Sequence, residues 1–80
     1  MSIDEAREKF GIVLTIRLFQ EYVGPKFFAS MNFDDWVEVA MATNPEGKWR
    51  QKAIAEMINR AETDEHWRII STLRKQKKVA

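Results

Sequence analysis

Four stretches of this chain open the way helices open, and that repeated start signal limits the fold more than any other feature. Ser2-Ile3-Asp4-Glu5 has the form of a capping box. In such a box the Ser hydroxyl accepts from the third helical N–H, and the Glu reaches back to the cap's own N–H. Asn32 precedes Phe33-Asp34-Asp35, Asn44 precedes Pro45-Glu46, and Thr63 precedes Asp64-Glu65. Each time a capping side chain is followed by acids, placed where a helix N-terminus is positive. Pro45 falls at the first helical position, where a missing N–H does no harm.

Apolar spacing supplies the helix bodies. From Phe10 to Val23 only Gly11, Thr15, Arg17, Gln20 and Glu21 interrupt the apolar residues, so the first helix is apolar around most of its girth. Gly11 lowers its helicity by roughly 1 kcal/mol relative to Ala, and Gly24-Pro25 is expected to end it. Phe33, Trp36, Val37, Ala40 and Met41 mark a second helix. Trp49, Ala53, Ile54, Met57, Ile58 and Ala61 form the inward stripe of a third, opposite Arg50, Gln51, Glu56, Asn59 and Arg60. Trp67, Ile70 and Leu73 face inward on a fourth. Residues 25–31 form a short apolar connection with room for one helical turn. No segment alternates as a strand does, and no Asn-Gly or Asp-Gly hairpin signal occurs. The prediction is an all-α compact bundle of four helices, at about 3–23, 33–42, 45–62 and 64–76, orthogonal or up-and-down. Residues 1–80 are expected to form one domain with a frayed basic tail at 75–80.

Composition bounds the chemistry. Eighty residues lie near the lower limit for a self-sufficient core, and nine aromatics supply buried area that no disulfide can replace, since there is no Cys. The lack of Cys also excludes thiolate catalysis and Cys-ligated zinc. The apolar stretch from Gly11 to Phe19 is short for a membrane span and contains Arg17. The N-terminus opens with acids rather than a basic run before an apolar one. A soluble, cytoplasmic protein without membrane contact is expected.

Charge is divided. Residues 1–46 hold eight acids against four bases, and residues 47–80 hold nine bases against four acids, so −4 faces +5. Two attracting helical halves would produce that division, and so would an anionic partner.

Five candidate sites follow, each with a plain structural explanation beside it. A helix-turn-helix made by the second and third helices would bring Lys48, Arg50 and Lys52 to DNA, anchored by Trp49. A solvated helix face accounts for the same three bases. The tail residues Arg74, Lys75, Lys77 and Lys78 would add phosphate contacts, although bases near a helix C-terminus also complement its dipole. Glu62 and His66 stand four apart, too few for a metal site without a second chain. Asp34 and Glu38 share a face, but at an exposed helix start they lack what acid–base catalysis needs. Finally, Phe27, Phe28, Met31 and Phe33 crowd one connection and, with the first helix, exceed what one small bundle needs to cover.

The balance favours recognition. The sequence predicts a non-catalytic helical regulator or adaptor that binds a protein partner and forms a homo-oligomer. Its contact surface would be the first helix with Phe27, Phe28, Met31 and Phe33. The alternative is a nucleic-acid-binding regulator using Lys48, Arg50, Lys52, Arg74, Lys75, Lys77 and Lys78. No catalytic residues, metal, cofactor or small-molecule substrate are expected.

Overall fold

The computed structural model describes residues 2–75. The fold is all-α, with five helices and no strand among the described residues. They are α1 (Ile3–Leu18), α2 (Pro25–Ser30), α3 (Phe33–Ala42), α4 (Lys48–Arg60) and α5 (Asp64–Lys75). Contacts group the chain into two compact units, the first ending at Met31 and the second beginning at Asn32.

In the first unit, Ser2 caps α1 by accepting from the Glu5 N–H at 3.1 Å. Gly11 then leaves helical geometry at φ 82°, ψ 170°, a region essentially restricted to glycine, so α1 is bent in two at this residue. Thr15 donates its hydroxyl to the Gly11 carbonyl at 2.7 Å and so satisfies the backbone just past the break. Ala6, Ile12, Thr15, Ile16 and Met31 are buried.

The expected run of α1 to Val23 is corrected to Leu18. Phe19 takes φ −113°, ψ 29° as the C-cap, and the N–H groups of Tyr22 and Val23 both return to the Phe19 carbonyl. Gly24-Pro25 therefore does not close α1; it opens α2, with Gly24 extended as the N-cap and Pro25 in the first turn. The cause is local, because a residue before proline is held away from helical ψ. The connection expected at 25–31 is accordingly a short helix.

In the second unit, α3 matches its expected bounds. Asn32 and Asp35 form a reciprocal capping box: the Asp35 N–H donates to Asn32 Oδ1 at 2.8 Å, and the Asn32 N–H donates to Asp35 Oδ2 at 3.1 Å. Phe33, Trp36, Val39 and Ala40 are buried along α3, while Met41 is exposed. α4 packs on both α3 and α5, more extensively on α3.

Two further expectations are corrected here. Asn44-Pro45-Glu46-Gly47 is a turn rather than the start of a helix: the Gly47 N–H reaches the Asn44 carbonyl at 2.9 Å, and Asn44 Oδ1 accepts from the Glu46 N–H at 3.0 Å. Asn44 thus caps a turn, and α4 begins at Lys48 behind an extended Gly47. α4 also ends at Arg60, because Ala61 is extended at φ −65°, ψ 129°. Thr63 restarts the chain by accepting the His66 N–H at 3.1 Å, so α4 and α5 are separate helices. The expected frayed tail at 75–80, and the extension of the last helix to Gln76, lie outside the described residues beyond Lys75.

Candidate functional site

α4 carries the most unusual side chain of the described structure. Its buried residues are Arg50, Ala53 and Met57, at i, i+3 and i+7. The expectation that Arg50 lies opposite the inward stripe is thereby corrected. Because α4 packs on both α3 and α5, its covered face is wider than the stripe read from hydropathy, and the aliphatic stem of an arginine is apolar enough to join it. Only 5% of Arg50 is exposed, and its Nε and Nη1 are buried without a hydrogen-bond acceptor among the described residues. Burying a guanidinium with donors unmet costs several kcal/mol, so such groups call for an explanation.

Arg50 lines a groove of about 450 Å³ within the second unit. Pro45, Ile54, Ala55, Ile58 and Leu73 supply its apolar walls, and Gln51 and Arg74 its remaining polar groups. Leu73 and Arg74 come from α5, and the rest from α4 and the turn before it. The groove exists because α4 and α5 touch over a limited stretch, leaving Ile54 and Ile58 incompletely covered.

The other bases of α4 are placed differently. Lys48 is exposed at the first position of the helix. Lys52 approaches Glu56 Oε2 at 3.9 Å and lies 5.8 Å from the centre of the buried Trp36 ring. Arg60 donates from Nη1 to Glu56 Oε1 at 3.1 Å and to the Glu56 carbonyl at 3.0 Å, with its Cζ 5.7 Å from the same ring. Glu56 therefore holds two cations above Trp36; solvent screens the exposed Lys52 more than it screens Arg60, which like Glu56 is only about one-fifth exposed. Lys48, Arg50 and Lys52 do not share one face. Arg74 and Lys75 are exposed at the end of α5, and Lys77 and Lys78 lie outside the described residues.

The apolar candidates also divide. Met31 and Phe33 are buried, whereas Phe27 and Phe28 are half-buried and meet edge to face with centroids 6.0 Å apart. Exposed apolar side chains stand instead on α1: Phe10 at 45%, Leu14 at 40% and Leu18 at 57%. Leu14 and Leu18 are one helical turn apart in the part of α1 after Gly11. The periodicity of the first helix held this signal, but a helix apolar nearly all round does not say which of its faces stays uncovered. Trp67, expected inward on α5, is 48% exposed, while Ile70 and Leu73 are buried as expected.

His66 is engaged inside the fold. Its Nδ1 accepts the Glu62 N–H at 3.1 Å and is turned to the backbone. Among the described residues no group of three or more His, Asp or Glu side chains is placed to hold a metal ion. No described helix is long and apolar enough to cross a membrane. Asp34 and Glu38 are exposed on α3.

No protein-family description matches the chain, and comparison with curated proteins and with solved structures gave no match.

Proposed function

We propose that this chain is a non-catalytic helical regulator or adaptor that acts by binding protein, and that it associates with a second copy of itself through α1. The supporting observation is the pair Leu14 and Leu18, exposed one turn apart, with Phe10 also exposed on the part of α1 before Gly11. Apolar groups of this size cost free energy in water, at roughly 25 cal/mol per Å². A two-fold contact lets one ridge cover its own copy, since the same residues serve both sides. Phe27 and Phe28 are half-buried and less exposed than the α1 pair; Met31 and Phe33 are buried.

The experiment is sedimentation or light scattering across a concentration series, with a Leu14→Glu/Leu18→Glu chain beside the parent. The parent should sediment as a dimer and the variant as a monomer with unchanged helical circular dichroism. A parent that stays monomeric at high concentration removes self-association from the reading.

The nucleic-acid alternative rests on fewer described residues than the sequence suggested, because Arg50 is buried and Lys52 lies against Glu56 and Trp36. Lys48, Lys52, Arg74 and Lys75 are its exposed groups among the described residues, Lys52 with its charge near Glu56. Labelled duplex DNA decides it: binding of that kind must weaken steeply with salt and with Lys48→Glu.

A further inference from the structure

α5 buries one side of itself and leaves the other to solvent. Ile70 and Leu73 are buried, with His66 and Ile69 half-buried beside them. Turned outward are Trp67, Ser71, Arg74 and Lys75, at i, i+4, i+7 and i+8, with Arg68 next to Trp67. All of these are exposed, Trp67 at 48%, whereas Trp36 is buried and Trp49 half-buried. Arg74 and Lys75 in the last turn complement the helix dipole, but the dipole does not account for Arg68 near the other end, nor for an indole in water. Among the described residues none of Arg68, Arg74 and Lys75 enters an ion pair. After Glu65 the sequence holds five bases and no acid. We infer that this face of α5 binds single-stranded nucleic acid, a base stacking on Trp67 and phosphates meeting Arg68, Arg74 and Lys75.

Charge and ring together choose the occupant. A strand with unpaired bases offers a π-face beside every phosphate, and an exposed aromatic among cations takes both at once. A duplex keeps its base faces stacked inside, and an acidic peptide answers the charge but not the indole. An anionic membrane would draw on the apolar face of the helix, and Ile70 and Leu73 on that face are already buried in the fold. Asp64 and Glu65, exposed in the first turn, repel phosphates. The strand is thereby confined to the stretch from Trp67 to Lys75, about 12 Å of helix. Ser71 lies within that stretch and offers a small hydroxyl donor. The site is independent of the α1 surface, and it differs from the duplex alternative in needing Trp67 and not Lys48.

The test uses the full chain, its tryptophan fluorescence, and five probes: oligothymidylate, oligouridylate, a DNA duplex of the same length, polyglutamate, and vesicles of anionic phospholipid. The oligonucleotides should bind at low ionic strength and quench the emission of Trp67. The duplex, polyglutamate and vesicles should each bind more weakly by about 10-fold or more, since stacking on one base contributes at that scale. Binding of either oligonucleotide supports the proposal, and the tighter of the two names the sugar. Trp67→Ala should lower the affinity for that oligonucleotide by about 10-fold or more, while Trp67→Phe keeps a ring and should retain most of it. Arg68→Gln and Lys75→Gln should each weaken binding a few-fold and flatten the slope of log affinity against log salt by about 0.7. No oligonucleotide binding at low ionic strength would overturn the proposal, as would duplex, polyglutamate or vesicles matching the oligonucleotides. Undiminished binding by a folded Trp67→Ala chain would overturn it too, and so would an equal loss in Trp67→Phe and Trp67→Ala. If Trp67→Ala fails to fold, the two glutamine variants and the comparison of probes still decide the matter.

Discussion

The His66 imidazole lies flat on the Phe33 ring, with centroids 3.9 Å apart and planes inclined by 17°. Phe33 is the first residue of α3 and His66 stands in the first turn of α5, so one stack ties two helix starts together. The same imidazole accepts the Glu62 N–H through Nδ1, and its own backbone N–H is capped by Thr63 Oγ1. A single residue thereby fixes the break between α4 and α5.

Two substitutions at His66 separate these roles. His66→Phe keeps a ring against Phe33 but removes the acceptor, and should cost about 1 kcal/mol, the usual size of one hydrogen bond. His66→Ala loses the ring as well and should cost about 0.5–1.5 kcal/mol more. Urea unfolding with an unchanged m-value reads both. Equal losses for the two variants would mean that the stack contributes nothing.

Glu56 gathers Lys52 and Arg60 above Trp36, and its replacement should be felt modestly and electrostatically. Helical i,i+4 pairs are each worth about 0.3–0.5 kcal/mol, so Glu56→Gln should lose about 0.5–1 kcal/mol at low ionic strength. Most of that loss should vanish in about 1 M salt, where the screening length is near 3 Å. A loss that ignores salt would point to packing of the Glu56 stem instead.

The second unit shows what the sequence could and could not announce. α3 was legible to the residue because its boundary is written locally: Asn32 and Asp35 each bond to the other's backbone, three residues apart in sequence. Asn32→Ala should accordingly cost about 1 kcal/mol, and Asn32→Gly only a few tenths, in thermal unfolding. The start of α4 was misread because Asn44 has the same chemistry in a cap and in a turn; which of the two forms depends on Gly47, three residues on. Arg50 was placed on the wrong face because hydropathy scores its head and ignores its stem. The candidate groove was therefore invisible: it depends on a buried charge, and on Leu73 and Arg74 being brought to Ile54 by a helix break at residues 61–63. On α1 the apolar content was plain, but which side stays exposed is a tertiary fact.

Gly11 gives the sharpest test of α1. Read as a helix interior position, it should gain stability on replacement by Ala, by roughly 1 kcal/mol of helix propensity. Its backbone says the opposite: at φ 82°, ψ 170° an L side chain is strained, and non-glycine residues held in such regions cost of order 1–3 kcal/mol. A Cβ built there meets nothing within 4 Å, so any loss comes from the backbone and not from a clash. Gly11→Ala should thus lower the unfolding free energy by about 1–3 kcal/mol. A chain made by synthesis with D-alanine at position 11 should not suffer this loss, because positive φ is natural to a D residue and its unfolded chain has fewer states to lose. If Gly11→Ala instead stabilises the protein and raises its helical signal, α1 runs straight through position 11 and the bend is not held by the rest of the fold. The sign of one measurement separates the two.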